Sequence, residues 1–409
     1  MSARKTVIGV IFGGRSVEHD VSVITANQIM RAFDPSRYEV VPIYISRDGH
    51  WYSGTPLLEI KNYQSDITAH KDVQDVILSP AVQHHGLIIN PTAGRFSKSE
   101  VQRLDVVFPA VHGTHGEDGT LQGLLELADI PYVGCRVLAS AVANDKSTAK
   151  ALLQQHGIPV VEDISVRRDE WLQDPDAVIE RVTSRLAYPL FIKPATTGSS
   201  IGVGRAHDET LLRASIEVAV HFDRRILIES AVVGGTEINC AVMGNGSSIR
   251  ASVLEQPVSW EEFLTYEEKY MRGSEGMKSA ERIIPAPLDA ELTERIQQMA
   301  VNAFKAIDGY GTARLDFLTK PDEGIVYLNE INTMPGSLAF YLWEESGLPM
   351  RQLVEELVTL AREAHAEKRA SSYDYQNDLL NLTSIRGLKG AKGAKSTGVA
   401  RNEEIKPTV

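Results

Sequence analysis

Continuous apolar runs alternate with segments of helical periodicity in the first third of the chain. The runs TVIGVIFGG, YEVVPIYIS, LDVVFPAVHG and IPYVGC have the composition of buried parallel strands. SVITANQIMRAF and GTLQGLLELAD have the spacing of amphipathic helices. This alternation predicts a doubly wound parallel sheet up to about residue 140. The stretch 47–100 is polar and aperiodic, and we expect it to be an irregular elaboration of that domain.

Two smaller units follow. From Asn144 the pattern predicts a helix (DKSTAKALLQQHG), then a strand, a Gly/Ser/Thr-rich loop and a second strand (YPLFIKPATTGSSIGVG), then the strand RRILIESAV. After residue 236, the strands TEINCAVMG, GTARLDFLT and GIVYLNEIN have short connections, which favours antiparallel pairing. A polar loop at about 256–285 interrupts this unit, and MRQLVEELVTLAREAHAEKRA closes it as a helix. The sequence thus predicts an α/β fold divided at 1–143, 144–235 and 236–370.

Composition and charge narrow the class of protein. The tail at 371–409 has few large apolar residues, and we expect it to be disordered. A net charge of −12 over 409 residues provides no basic field for nucleic acid. The two cysteines, Cys135 and Cys240, form no disulfide framework, which is typical of a reducing cytoplasm. Neither a signal peptide nor a membrane span is indicated, so we expect a cytoplasmic protein.

Polar side chains interrupt the apolar strand that ends in NEINTMPG. Glu330 and Asn332 are two positions apart and share a face, and Asp316 lies on the predicted neighbouring strand. A buried carboxylate needs a partner. Two carboxylates and a carboxamide suit Mg²⁺, while the alternative is an ion pair of Asp316 with Arg314. Gly336 then favours the metal interpretation, because it lets the backbone approach a ligand closely.

The segment IKPATTGSSIGVG places Lys193 at a strand end, followed by a flexible loop. Such loops offer backbone N–H groups to phosphate oxygens, although an ordinary hairpin turn is the alternative. The segment is neither a Walker A loop nor a dinucleotide fingerprint. A second lysine, Lys146 in NDKSTAK, and the metal candidates downstream together favour phosphate binding.

Two loops follow predicted strands of the first domain, where doubly wound folds bind their ligands. VHGTHGEDG contains His112, His115 and Glu117, which are either turn and capping residues or, with less support from their spacing, zinc ligands. GGRSVEHDVS contains Glu18, an acid able to bind a substrate ammonium group.

Taken together, these segments resemble the D-alanine–D-alanine ligase family of the ATP-grasp superfamily. The motifs FGGRSVEHDVS, HGTHGEDGTLQGLLELADIPYVG, DKSTAKALL, KPATTGSSIGV, YEEKY, ARLDF and NEINTMPG occur in the family's order. The resemblance implies a three-domain ATP-grasp fold whose second and third domains clasp ATP. It implies that the carboxylate of one D-alanine attacks the γ-phosphate of ATP, and that the amine of a second D-alanine attacks the acyl phosphate. The dipeptide would serve peptidoglycan synthesis, cell wall biogenesis and cell shape.

The resemblance also implies which residues surround the nucleotide. Lys146 and Lys193 would contact the nucleotide phosphates, and Lys269 of YEEKY would contact the transferred phosphoryl group. Glu229 and Glu237 would contact adenine and ribose, although the segment between them is one residue longer than usual. The family is typically a homodimer, which we expect here.

Metal and oxyanion roles follow in the same way. The resemblance implies that Asp316, Glu330 and Asn332 hold two Mg²⁺ or Mn²⁺ ions. Arg314 and the backbone N–H of Gly336 would stabilise the oxyanion formed when the amine attacks. A nucleotide-binding regulator without activity would be expected to lack some of these residues, and all are present.

The first substrate's site is implied by five residues. Glu18 would bind its ammonium group and hydrogen-bond with Ser199 and Tyr270, while His112, supported by Glu117, would lie near its carboxylate. The loop at about 256–285 would act as a lid that excludes water. Tyr270 is typical of relatives that take an amine as second substrate.

The sequence departs from the family at the second substrate's site. A Ser-Leu pair usually follows NTxPG and holds that substrate's carboxylate. By register, Tyr341 and Leu342 of SLAFYLWEESG stand there. A tyrosine hydroxyl can still donate a hydrogen bond, and the alternative is that the segment simply packs as a helix start. D-serine, D-lactate or another amino acid therefore remains an alternative second substrate.

Overall fold

The computed structural model describes residues 4–92, 100–258 and 282–373. The strands within these ranges form three sheets. The chain divides into two units, Met1–Glu367 and Lys368–Val409, and all three sheets belong to the first. The strands are β1 Thr6–Gly13, β2 Tyr38–Ile45, β3 Trp51–Ser53, β4 Gln74–Leu78, β5 Gly86–Ile89, β6 Glu100–Arg103, β7 Val106–Pro109, β8 Asp163–Arg167, β9 Leu190–Pro194, β10 Gly204–Ala206, β11 Arg225–Ser230, β12 Thr236–Gly244, β13 Arg250–Pro257, β14 Arg282–Ile283, β15 Gly311–Lys320 and β16 Ile325–Asn332. The helices are α1 His19–Ala32, α2 Thr120–Ala128, α3 Val137–Asn144, α4 Lys146–Gln155, α5 Arg168–Gln173, α6 Pro175–Thr183, α7 Glu209–Phe222, α8 Ala290–Ala306, α9 Phe340–Glu345 and α10 Met350–Arg369.

Aspartate side chains define where several helices begin. Asp145, Asp208 and Asp289 each accept a hydrogen bond from a backbone N–H in the first turn of α4, α7 and α8. Such caps satisfy donors that have no partner within the helix. None of the helices in the described ranges is long and apolar enough to cross a membrane.

The first sheet has the strand order β6-β5-β4-β3-β2-β1-β7. The strands β2, β1 and β7 are parallel, as their apolar runs predicted, and β3 to β6 add an antiparallel extension. The expectation that 47–100 is irregular was therefore wrong for the parts that form β3 to β6, because these strands are short and bury few side chains, such as Val76 and Leu78 in β4. IPYVGC forms only a bridge between Tyr132 and Val107 rather than a strand.

The second and third sheets are antiparallel throughout, which the short connections predicted for the third sheet. Their orders are β10-β9-β11-β8 and β14-β13-β12-β15-β16. One face of the third sheet packs against α8 through a cluster that includes Ile238, Leu315, Phe317, Ile296 and Phe304. Burying this face fixes the register, because a slip of one residue would exchange the two faces.

A shared core joins the first sheet to the end of the third. Ile8 and Phe12 of β1 belong to the same buried cluster as Met243, Trp343 and Leu357. The turn that follows β16 packs against α1. The loop after β1 is thereby brought to the carboxyl end of β16, where the predicted site residues lie.

Candidate active site

A row of polar side chains crosses four adjacent strands of the third sheet. Glu255 on β13 lies opposite Asn239 on β12, Asn239 lies opposite Asp316 on β15, and Asp316 lies opposite Glu330 on β16. The row forms on one face because residues directly opposite each other on paired antiparallel strands point to the same side of the sheet. Sequence reasoning found Asp316 and Glu330 but missed Glu255 and Asn239.

Asp316 is held by two residues of the same face. Arg314 donates from Nε and Nη2 to the two carboxylate oxygens of Asp316, both at 2.7 Å, and Asn332 Nδ2 donates to Oδ2 at 2.9 Å. Burial lowers the pKa of Arg314, but the adjacent Asp316 carboxylate outweighs burial and holds that pKa well above its usual range. The ion pair that the sequence left as an alternative is therefore present.

These residues fit a hard divalent cation. Asp316, Glu330 and Asn332 converge and supply carboxylate and amide oxygens. Within 4–92, 100–258 and 282–373, no three His, Cys, Asp or Glu side chains form a metal site by themselves. A donor set of two carboxylates and one amide suits Mg²⁺, which usually keeps several waters and shares its remaining positions with substrate phosphates.

On the second sheet, a buried carboxylate lies between two lysines. Lys150 and Lys193 form ion pairs with the two oxygens of Glu229, whose side chain is 2% exposed. Burial raises the pKa of Glu229, but Lys193 and then Lys150 outweigh burial and lower that pKa to about 2. Sequence reasoning missed Lys150, although its position four residues after Lys146 on α4 places both on one helix face.

The two predicted phosphate lysines reach from the second sheet to the third. Lys146 Nζ donates to the backbone oxygen of Thr197 at 3.0 Å and lies 3.9 Å from Glu330 Oε2. Lys193 Nζ donates to Asn329 Oδ1 at 3.2 Å. The predicted ribose contact, Glu237, is exposed and lies on β12 two residues from the polar row. Cationic groups therefore face the carboxylates across the gap between the two sheets.

The residues predicted for the first substrate also lie together. Ser199 Oγ donates to Glu18 Oε1, and Glu18 precedes the first turn of α1. His112 Nδ1 lies 3.2 Å from Glu117 Oε1, and its Nε2 lies 3.0 Å from Thr25 Oγ1. Burial and, after it, the neighbouring Glu117 carboxylate raise the pKa of Glu18. Because no three His, Cys, Asp or Glu side chains of the described residues come together as metal ligands, the zinc interpretation of His112, His115 and Glu117 finds no support.

The turn after β16 has an unusual backbone. Ser337, Leu338 and Ala339 have positive φ values of 50°, 58° and 48°, a region that side chains with a Cβ rarely occupy. The Ser337 N–H donates to Thr25 Oγ1 at 3.1 Å, but its own buried Oγ has no hydrogen-bond partner within the described part of the chain. Sequence reasoning missed Ser337, although Ser337-Leu338 is itself a Ser-Leu pair directly after Gly336.

Tyr341 contacts charged groups rather than open space. Its hydroxyl donates to Glu255 Oε2 at 3.0 Å, and the guanidinium of Arg282 lies 4.1 Å from its ring centroid. Burial raises the pKa of Tyr341 to about 12, so the phenol keeps its proton at neutral pH. The side chain of Leu342 is fully buried in the shared core.

Some predicted residues lie outside the described ranges. Lys269 and Tyr270 are among them, as is most of the predicted lid at 256–285 and the tail from 374 onward.

The fold and the site define a class of protein. Two antiparallel sheets that place lysines opposite a row of carboxylates, preceded by a partly parallel α/β sheet, are the architecture of an ATP-grasp enzyme.

Comparisons with known proteins narrow the class further. Residues 7–135 match the family described as "D-ala D-ala ligase N-terminus", and residues 152–359 match "D-ala D-ala ligase C-terminus". The D-alanine–D-alanine ligase of Geobacillus thermodenitrificans is 41% identical over 376 residues, which cover 91% of this chain and 100% of that protein. The same-named enzyme of Acetivibrio thermocellus is 41% identical over 371 residues, which cover 88% and 96%.

Solved structures agree with this relationship. The D-alanine–D-alanine ligase of Coxiella burnetii superposes with a TM-score of 0.74 at 31% identity, covering 90% of this chain and 98% of that one. The VanG D-Ala:D-Ser ligase of Enterococcus faecalis gives 0.75 at 32% identity, covering 88% and 100%. The chain belongs to the D-alanine–D-alanine ligase family.

Proposed function

We propose that this enzyme joins two molecules of D-alanine into D-alanyl-D-alanine, with conversion of ATP to ADP and phosphate, for peptidoglycan synthesis. The observation that carries the proposal is the convergence of Glu18, Lys146 and Glu330, which come from three separate parts of the chain. Lys146 lies 3.9 Å from Glu330 and donates to the backbone oxygen of Thr197, and two residues further along the same loop Ser199 Oγ donates to Glu18 Oε1. The proposed ammonium, phosphate and metal sites therefore adjoin, as a ligation through an acyl phosphate requires.

The first D-alanine would bind through Glu18 and His112. Glu18 would accept its ammonium group, with Ser199 fixing the carboxylate, and Tyr270 is proposed as a further link. His112, oriented by Glu117, would lie beside the carboxylate that attacks ATP. This orientation brings the reacting oxygen towards the phosphate, and such positioning provides much of the rate in phosphoryl transfer.

ATP would bind between the second and third sheets. The family is ATP-dependent and uses divalent metal ions. Lys146, Lys193 and Lys269 are proposed for the phosphates, and Glu229 and Glu237 for adenine and ribose.

We propose Mg²⁺ or Mn²⁺, with two ions held by Asp316, Glu330 and Asn332. Bound metal would neutralise negative charge on the phosphate oxygens. Arg314, already oriented by Asp316, and the N–H of Gly336 would stabilise the oxyanion.

The second D-alanine would approach the turn after β16. Tyr341 and Leu342 are proposed to border its site, and Ser337 offers a buried hydroxyl without a protein partner in the described ranges. A buried hydroxyl without a partner is unfavourable, which supports a substrate oxygen as its partner.

The organisation of the molecule is part of the proposal. The three sheets fall one each within domains at 1–143, 144–235 and 236–370. We also propose a cytoplasmic homodimer. The packed helices α2 and α3 expose Leu127 and Leu138, which supports an apolar contact with a second copy.

A product assay tests the function. The purified chain is incubated with ATP, Mg²⁺ and D-alanine, alone or with D-serine or D-lactate, and products are identified by mass together with phosphate release. D-alanyl-D-alanine as the main product is expected. D-serine is included because of the likeness to a D-Ala:D-Ser ligase. A mixed product formed in preference to the D-alanine dipeptide, or no phosphate release with any acceptor, would contradict the proposal.

A further inference from the structure

We propose that Arg282 binds the carboxylate of the second substrate, and that Glu255 and Tyr341 hold its guanidinium in position. The inference rests on the proposed ligation of two D-alanines and assigns the acceptor site. Arg282 lies on β14 at the edge of the third sheet, and Glu255 lies on the neighbouring strand β13 at the end of the polar row.

Two residues donate to Glu255, whose side chain is 1% exposed. Arg282 Nη1 donates to Oε1 at 2.7 Å, and the Tyr341 hydroxyl donates to Oε2 at 3.0 Å. Arg282 also stacks on the Tyr341 ring at 4.1 Å. The guanidinium is therefore fixed on one edge by a buried carboxylate and on one face by an aromatic ring, which lowers the entropy lost when it binds a ligand.

This arrangement assigns Tyr341 a different role from the one its register predicts. A tyrosine hydroxyl has one proton to donate, and here that proton is donated to Glu255. A substrate carboxylate needs donors, and a guanidinium carries five N–H groups in a planar fork that matches a carboxylate. Arg282 can therefore bind Glu255 and a substrate carboxylate at the same time, while Tyr341 acts as a positioning residue.

Two arginines lie near Tyr341. Arg282 lies over its ring, and Arg314, the proposed oxyanion residue, interacts electrostatically with both Tyr341 and Glu255. An α-amino acid brings its carboxylate and its amine together, so binding its carboxylate at Arg282 would direct the amine towards Arg314 and the reacting carbonyl.

Steady-state kinetics on the full chain test this assignment. The rate is measured over a wide range of D-alanine concentration, and separate KM values are fitted for the donor and the acceptor. Arg282→Gln should raise the acceptor KM about tenfold or more, the effect of losing one charged hydrogen bond, with kcat within about threefold. Arg282→Lys should be intermediate, and Tyr341→Phe should raise the acceptor KM less than Arg282→Gln.

A second acceptor and a matched control make the test specific. D-alaninamide lacks the carboxylate, so the preference of the wild type for D-alanine over D-alaninamide should shrink in Arg282→Gln. Arg250→Gln is the control, because Arg250 also lies on this sheet, pairs with Glu356 and lies over the ring of Trp343. It should leave both KM values unchanged.

The outcomes separate this inference from the proposed function. An unchanged acceptor KM and an unchanged preference in Arg282→Gln would overturn the role of Arg282 while the wild type still makes the dipeptide. A wild type that makes no D-alanyl-D-alanine would overturn the function itself. If Arg282→Gln does not fold, as judged by circular dichroism, Arg282→Lys and Tyr341→Phe decide by the same split between KM and kcat.

Discussion

The ammonium of Lys150 lies 2.5 Å from Glu229 Oε2, and the two side chains are 3% and 2% exposed. Lys193 holds the other oxygen of the same carboxylate. Glu229 is therefore ionised in an interior where an unpaired charge would be strongly unfavourable.

The stability of the enzyme should depend on pH through Glu229. Its pKa falls from the ordinary value of 4.5 to about 2 on folding, because the two lysines outweigh burial. A lowered pKa stabilises the fold above about pH 4.5, and this contribution is lost as the pH falls towards 2, amounting to on the order of 3 kcal/mol. Urea unfolding of the wild type and Glu229→Gln should show a free-energy difference that narrows between pH 5 and pH 3. A difference that stays constant over this range would contradict the assignment.

Gly113 should be required for the position of Glu18. A Cβ at Gly113 would lie 2.6 Å from Glu18 Oε2 and 2.5 Å from Ser16 Oγ. Gly113→Ala should therefore raise the KM for the first D-alanine about tenfold or more, because such a displacement corresponds to at least about 1.4 kcal/mol of binding free energy. Gly157→Ala is the matched control: Gly157 has a φ of 70°, close to the 72° of Gly113, but nothing lies within 4 Å of its Cβ. If Gly157→Ala raises the KM for the first D-alanine as much as Gly113→Ala does, backbone strain rather than contact with Glu18 explains the increase.

Ser337→Ala should separate stability from activity. The buried Ser337 hydroxyl has no partner among the described residues, so removing it should leave the free energy of unfolding within about 1 kcal/mol of the wild type or increase it. The KM for D-alanine should nevertheless rise about tenfold if the hydroxyl binds substrate. Ser140→Ala provides the comparison, because that buried hydroxyl donates to Cys135 O at 3.3 Å and its loss should destabilise the fold. Unchanged kinetics in Ser337→Ala would remove Ser337 from the site.

Glu330→Gln should abolish most ATP turnover with the fold intact. The carboxamide keeps the size of Glu330 but removes the charge that faces Asp316 and Lys146. Loss of a metal ligand that stabilises charge should lower kcat by about 10²-fold or more. Phosphate release measures this, and thermal unfolding checks the fold, with the exposed Glu323→Gln as control. Near wild-type turnover in Glu330→Gln would refute the metal assignment.

Strand periodicity predicted much of this site from the sequence. Glu330 and Asn332, two residues apart, do share a face, and Asp316 does lie on the adjacent strand. Two-residue alternation is a local property of the backbone, so a short segment is enough to reveal it. The parallel strands of the first sheet were predicted for a similar reason, since burial on both faces gives continuous apolar runs.

Contacts between distant segments could not be predicted in this way. Glu255 and Arg282 are separated by 26 intervening positions and meet only because β13 pairs with β14. The partner of Glu229 on α4, Lys150, is determined by how a helix packs on a sheet rather than by spacing. Ser337 was overlooked because the position of the family's Ser-Leu pair was found by counting residues from Gly336, and this count leads to Tyr341. A count of residues contains no information about a turn with positive φ.

The fold and the activity depend on the register of the same strands, because these strands carry the polar row from Glu255 to Glu330. Its residues share four strands with the apolar face that packs on α8. Gaining or losing one codon within β12, β13, β15 or β16 without a compensating β-bulge would invert the strand beyond that point, sending charged groups into the core and apolar groups into the gap with the second sheet. The bulges near Cys240 and Asp316 show how such a change is absorbed, and elsewhere insertions and deletions fit most easily in the connections between the strands.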